Sequence, residues 1–332
     1  MTIPAAPARE KHSILLAGRE YRWSEVLPIG DDPRAWSHSG AAAGPDGSLY
    51  FGDSSGRLLY VVRPDGRGGI RDRRAVAVAA TECHGLAVTA DGDIWVADPG
   101  HKYTRDGAGY GDLRRGGGVT RFHPDGGIAQ QLSSEGTRGW MPTSVALHDH
   151  GSASGGAVWV ADGYGRSLVY GFDADGRCSF TANGADSGMP FRTPHAVIMD
   201  ERSAEPRLLV ADRGNRRIVQ LSMDGRFLGA FGQAELTGPS AFAFDGELLL
   251  VTDLYGRIAA FGPDDSFLGG TGSLPHRRER PWPNEDRRRG IQAATRRAGR
   301  FHAPHGIAVG AEGEILVTEW GISGRVILLI PT

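Results

Sequence analysis

The sequence predicts an all-β chain folded as a six-bladed β-propeller, and three observations carry the prediction. The first is glycine, which supplies 50 of 332 residues, roughly twice the usual share of about 7%. Glycine costs helix stability, so a mostly helical chain is excluded, and the lack of a G-X-Y period excludes collagen. The second is an ordinary globular balance, 40% hydrophobic and 23% charged, which supplies a core and excludes disorder. The third is an internal repeat: one unit recurs six times along the whole chain. It opens on a small or polar residue, continues as a short apolar strand and a D-G or E-G turn, and ends its second strand in a pattern like V-A-D.

The blades follow in order. Blade one is SGAAAGPDGSLYFGD from Ser39, and blade two is HGLAVTADGDIWVAD from His84. Blade three is TSVAL from Thr143 followed by AVWVADGYGRSLVYGF. Blade four is HAVIM from His195 followed by RLLVADRGNRRIVQL, and blade five is SAFAFDGELLLVTDLYGRIAAF from Ser240. Blade six is HGIAVGAEGEILVTEWGISGRVILL from His305. Each blade is expected to be a four-stranded antiparallel sheet around a central channel. Blade six shows only three strands before the chain ends, so a strand near Glu20–Val26 is expected to supply its fourth and close the ring. The prediction is one domain over 1–332.

In an antiparallel blade the start of the first strand and the end of the second share one face. The opening positions Ser39, His84, Thr143, His195, Ser240 and His305 therefore gather at one mouth of the channel. Histidine stands in alternate blades, so His84, His195 and His305 converge with near three-fold symmetry. A lone histidine is most often packed or capping; three at one repeat position fit a divalent metal, first zinc, with an open fourth position. Neutral imidazoles also suit iron, nickel, copper and cobalt. His38 is one residue out of phase and is a further candidate. The ends of the second strands add polar groups to this face. Tyr164 is placed to move a proton and Arg213 to clamp a carboxylate. His38, Ser54, His101, Tyr255 and Trp320 are candidate substrate contacts. The repeated acids Asp53, Asp98, Asp162, Asp212, Asp253 and Glu319 are expected to accept backbone N–H bonds.

The repeat resembles NHL-type propellers in its V-A-D and R-I strands. CHGLAV with His84, VADGYG with Tyr164, TPHAVIM with His195, VADRGNRRI with Arg213 and APHGIAV with His305 resemble the catalytic domain of peptidyl-α-hydroxyglycine α-amidating lyases. The resemblance covers nearly the whole chain. It implies a zinc held by the three histidines, active-site roles for Tyr164 and Arg213, and cleavage of a carbinolamide C–N bond to an amide and glyoxylate. Two positions depart from the family. Ser54 stands where the family has a further arginine, and Gly306 stands where it has an aspartate ligating a structural calcium. The copper monooxygenase domain that usually accompanies the family is absent from this sequence.

Between Pro275 and Ala303 lies an insert with nine arginines. It reads either as a solvated loop or as a lid bringing positive charge to an anionic substrate. The loop from His101 to Gly118 is a second excursion on the same face. The net charge of -2 gives no global argument for nucleic acid or anionic membrane, and no apolar run is long enough to span a bilayer. The N-terminal residues lack the apolar core of a signal peptide, and Cys83 and Cys178 make no disulfide framework. The expectation is a cytoplasmic monomer acting on a small or peptide-like anionic substrate. The favoured reading is a metal-dependent lyase acting on a C–N or C–O bond. Another metal-assisted reaction at the same site, a gluconolactonase-like enzyme and a non-catalytic scaffold are the alternatives.

Overall fold

A computed structural model of the chain describes residues 12–27, 34–107, 109–132, 139–148, 157–272, 284–286, 290–291 and 293–332. The six repeats form six antiparallel sheets whose innermost strands neighbour one another in a closed ring. These inner strands are Ala41–Ala43, Gly85–Val88, Ser144–Leu147, Pro194–Asp200, Pro239–Asp245 and Pro304–Val309. The fold is therefore a six-bladed propeller, as the repeat requires. Blade six is completed by Arg19–Leu27, which pairs antiparallel with Arg325–Pro331 and closes the ring. One element lies outside the prediction. Ser13–Leu16 adds a fifth strand to that sheet, and its Ile14 and Leu16 are buried against residues of blades five and six.

The V-A-D strands show why the ring packs. Alternate residues of a strand point to opposite faces, so each second strand serves two interfaces. Val158 and Val160 are buried against blade two, while Trp159 and Ala161 are buried against blade four. The same division runs round the ring, giving a hydrophobic cluster at every blade-to-blade contact. The hairpin glycines take the positive φ that a tight turn demands, as at Gly92 (88°) and Gly313 (80°).

The acids ending the second strands are structural, and they do more than cap a turn. Asp98 accepts the N–H groups of Thr81 and Glu82, Asp212 that of Arg192, and Glu319 that of His302. Each acid thus grips the segment two or three residues ahead of the histidine of its own blade. Arg217, Arg257 and Arg325 complete buried ion pairs with Asp212, Asp253 and Glu319. The chain entering each inner strand is fixed before it reaches the axis.

Candidate metal centre

The imidazoles of His84, His195 and His305 meet on the axis, with ring centroids 4.6 to 5.0 Å apart. Each is held by the opening residue of the following blade. Nδ1 of His84 lies 2.7 Å from the carbonyl oxygen of Thr143. That of His195 lies 2.6 Å from Ser240 O, and that of His305 lies 3.0 Å from Ser39 O. A carbonyl only accepts, so Nδ1 carries the proton in all three and Nε2 keeps a lone pair. This is the tautomer and support expected of metal-ligating histidines.

The polar opening residues of blades three and five brace the other side, while in blade one the peptide N–H of Gly40 donates to Cys83 O at 3.0 Å. The Thr143 hydroxyl donates to Pro194 O at 3.2 Å, and the Ser240 hydroxyl donates to Pro304 O at 3.1 Å. Those carbonyls immediately precede His195 and His305. The alternation of serine or threonine with histidine is therefore one hydrogen-bonded belt.

Tyr164 and Arg213 reach the same point. The peptide N–H of Tyr164 donates to Met141 O at 3.4 Å, and that of Arg213 donates to Thr193 O at 3.1 Å. These bonds tie each second-strand end to the segment leading into the inner strand of its blade. The Tyr164 hydroxyl lies 3.0 Å from His195 Nε2 and 3.2 Å from His84 Nε2. Arg213 Nη1 donates to that hydroxyl at 3.4 Å, and its guanidinium carbon is 5.3 Å from the ring centroid of Tyr164.

His38 joins the group. Its ring centroid is 4.4 Å from those of both His84 and His305, and its Nε2 is 3.3 Å from the Tyr164 hydroxyl. The ligand nitrogens of His38, His84, His195 and His305 all lie within 4.8 Å of one another. Burial, above all, keeps the four imidazoles neutral. It pushes His38 and His84 well below the usual range, helped by neighbouring imidazoles and Arg213. The same holds for His195, where burial is followed by Arg213. His305 falls to about 3, through burial against an opposing hydrogen bond to Ser39. Neutral imidazole is the ligating form. Among the described residues, the buried Nε2 of His305 has no hydrogen-bond partner, a costly state that a cation would relieve. The donor set therefore fits a divalent transition metal.

The other sequence-derived positions are distributed around this centre. Trp320 is buried with its ring 5.7 Å from His38. Half-buried Tyr255 lies within electrostatic reach of Arg213, though burial leaves its phenol raised. Ser54 is buried in the turn after Leu49–Gly52. His101 is turned toward its own hairpin, its Nε2 3.2 Å from Asp112, and lies outside the four-histidine group. The excursion carrying it forms a hairpin, His101–Asp106 paired with Gly109–Arg114. Tyr103 and Tyr110 of that hairpin pack on Trp36, at 4.6 and 5.3 Å, and Trp36 packs on Trp320 at 5.6 Å. The hairpin is thus one wall of the mouth. Six of the nine arginines of the insert lie outside the described residues; of the three within them, Arg296 donates to Ile322 O at 2.9 Å. Cys83 and Cys178 are both free.

One feature escaped the sequence. Lys102, in the hairpin, bonds both carboxylate oxygens of Glu82 at 2.9 Å, and both side chains are buried. Burial pushes the Glu82 carboxyl up to about 8 despite the ammonium. The pair bolts the hairpin to the segment entering His84. The available signal was composition: Lys102 is one of two lysines in an arginine-rich chain.

Gly306 is also closed to the calcium-ligating aspartate of the resembled family. A Cβ there would stand 2.6 Å from Gly40 C, 2.7 Å from Ala41 N and 2.7 Å from Thr318 Oγ1, so an aspartate has no room. Beneath the imidazoles the channel continues as a cavity of about 340 Å³, walled by the inner strands.

No protein-family model matches the chain. It is 27% identical over 241 residues to peptidyl-alpha-hydroxyglycine alpha-amidating lyase 2 of Drosophila melanogaster. The chain resembles an amidating lyase. The match takes in 72% of this chain and 52% of that relative, so the chain spans about half the length of the protein it resembles. Among solved structures, a gluconolactonase from Xanthomonas campestris superposes with a TM-score of 0.61 at 17% identity, covering 99% of each chain. A streptogramin B lyase gives 0.53 at 15% identity, over 94% of this chain and 98% of that one. A virginiamycin B lyase from Staphylococcus aureus gives 0.52 at 12% identity, over 93% and 99%. These likenesses show the propeller fold.

Proposed function

We propose that this chain is a lyase dependent on a divalent transition metal. It would cleave a C–N or C–O bond of a small or peptide-like hydroxylated substrate carrying a carboxylate. The observation that carries this reading is the buried, unpartnered Nε2 of His305 within a four-histidine group, with Tyr164 and Arg213 at its side. The amidating lyase it resembles supports the same reaction class.

A divalent ion on these nitrogens supplies Lewis-acid chemistry, lowering the pKa of a hydroxyl placed against it. The chain's residues do the rest. Arg213 clamps the substrate carboxylate through parallel hydrogen bonds and, through its bond to the phenol oxygen, holds the Tyr164 hydroxyl in place. Tyr164 takes the hydroxyl proton as the carbonyl forms. The C–N or C–O bond breaks with its electron pair on the leaving atom, which receives that proton. Burial of Trp36 and Trp320 beside His38 keeps bulk water from one side of the reacting atoms.

Elemental analysis of the purified chain and of His195→Ala tests the reading, together with assay on an α-hydroxyglycine peptide. The expected result is about one ion per chain in the wild type, and loss of both ion and cleavage in the variant. A wild type without metal, or a variant with full occupancy, would falsify it.

A further inference from the structure

Three ring histidines on a tetrahedral ion leave one position for substrate; this chain brings a fourth imidazole to the same point. We infer that His38 is a fourth nitrogen donor of the centre, selecting an ion that accepts five or six ligands over tetrahedral zinc. The inference rests on the metal-centre reading above and sharpens it.

His38 is placed there by construction. The short strand Trp36–Ser37 pairs with Gly321–Ile322 of the loop after the second strand of blade six. The peptide N–H of Ser323 donates to Ala35 O at 2.6 Å. On the other side Lys102 Nζ donates to Trp36 O at 3.4 Å. The next residue, Ser39, accepts from His305 Nδ1 and, at 2.6 Å, from the Thr318 hydroxyl. The segment is pinned on both sides of His38, which leaves the ring little choice but the axis.

Distance decides whether the nitrogen can bind. Two imidazole nitrogens on one ion, each at about 2.1 Å, stand at most about 4.2 Å apart. The four-nitrogen group spreads over no more than 4.8 Å, so its widest pair closes by about 0.6 Å to stand on opposite sides of one ion. The centroids of His38 are as near to His84 and His305, at 4.4 Å, as the ring histidines are to one another. A hydrogen-bonding role toward Tyr164 alone would not require His38 to sit so close to His305.

The chemistry follows from the count. Four imidazoles on tetrahedral Zn²⁺ leave no position for a substrate. Imidazole-preferring ions that accept five or six ligands, such as Fe²⁺, Co²⁺, Ni²⁺ and Cu²⁺, hold all four and still take one.

The test loads the metal-free full chain with Cu²⁺ or Co²⁺ alone. Wild type, His38→Leu and His38→Gln are compared after their melts show folded protein. His38→Gln keeps a hydrogen-bonding group for Tyr164 but removes the imidazole. Nitrogen couplings of bound Cu²⁺ count the imidazoles, the visible spectrum of bound Co²⁺ reports coordination number, and chelator competition gives affinity. The expected result is one nitrogen fewer in both variants. Their Co²⁺ spectrum should gain the intensity of a lower-coordinate ion, and Cu²⁺ affinity should fall about tenfold or more. Identical nitrogen counts and spectra in all three proteins would overturn the inference while leaving the metal centre standing. A wild type that takes up neither ion overturns both.

Discussion

The Nδ1 of His84 lies 2.7 Å from the carbonyl oxygen of Thr143, the opening residue of the next blade. The same bond recurs from His195 to Ser240 and from His305 to Ser39, so the blade that lacks a histidine holds the histidine of the blade before it. Ser240 is where this belt is most exposed to a test. Its carbonyl takes His195, and its hydroxyl shares its one proton between Pro304 O and, at 3.2 Å, Thr252 O. Ser240→Ala removes the brace on His305 and keeps the carbonyl that holds His195. Stability should fall by about 1–2 kcal/mol, and metal affinity by about 10–100-fold. Thermal melts and chelator competition measure the two separately. A lowered melt with unchanged affinity would confine the belt to a structural role.

Tyr164 separates metal binding from turnover. Its hydroxyl is within 3.3 Å of three imidazole nitrogens and takes a bond from Arg213. Tyr164→Phe keeps the ring over the guanidinium and deletes only the oxygen that moves the proton. Metal content should stay at the wild-type level while kcat falls by about 10²–10⁴. Loss of the ion together with activity would assign Tyr164 to holding the metal.

Much of this was legible in the sequence because it is periodic. The repeat places His84, His195 and His305 at one position, and antiparallel pairing sends Tyr164 and Arg213 to the same face. What was not legible lies where the period stops. His38, already a further candidate in the sequence, precedes the first unit, and only its direction was hidden: that depends on pairing between Trp36–Ser37 and Gly321–Ile322, residues far apart in sequence with no motif to join them. The Glu82–Lys102 pair depends on the fold of the hairpin at 101–114, which the repeat treats as an insertion. The direction of His101 was hidden for the same reason: its place after V-A-D does not reveal a hairpin that turns its ring to Asp112. Glycine also had a second use. At Gly40, Gly85 and Gly306 a Cβ would stand 2.5–2.6 Å from backbone of the neighbouring blade, so these glycines serve close approach at the axis rather than turns.

Gly306 turns that close approach into a prediction. Gly306→Asp restores the residue type that ligates calcium in the amidating-lyase pattern, yet its Cβ meets backbone at Gly40 and Ala41, which cannot swing aside as a side chain would. Overpacking of this kind costs about 1–3 kcal/mol and at times more. The variant should melt lower than the wild type, and added Ca²⁺ should not restore it. A calcium-dependent rise in its melting temperature would show that the axis can open.

Acid sensitivity should arise at the far end of the inner strands from the histidines. Asp200 ends the inner strand of blade four and is fully buried. Its carboxylate accepts from Arg202 Nε at 2.8 Å, Arg202 Nη2 at 3.0 Å and Arg207 Nε at 2.9 Å. Arg202 continues to Gly262 O at 2.9 Å, joining blades four and five. Burial works to raise this carboxyl, but the bonds from Arg202 and Arg207 outweigh it and hold the group below its ordinary range. A folded value below the unfolded one means stability that is fully present above the unfolded value, about pH 4, and lost as pH falls through the folded one. Asp200→Asn removes that charge and leaves two guanidiniums with Asp265 as their remaining carboxylate. At neutral pH it should cost about 3 kcal/mol, the low end for breaking a buried pair because Asp265 stays. The difference from wild type should shrink steadily below about pH 4, where the native carboxylate is itself being protonated. Urea midpoints of both proteins across that range measure it, and a gap that stays constant into acid would place the pH dependence elsewhere.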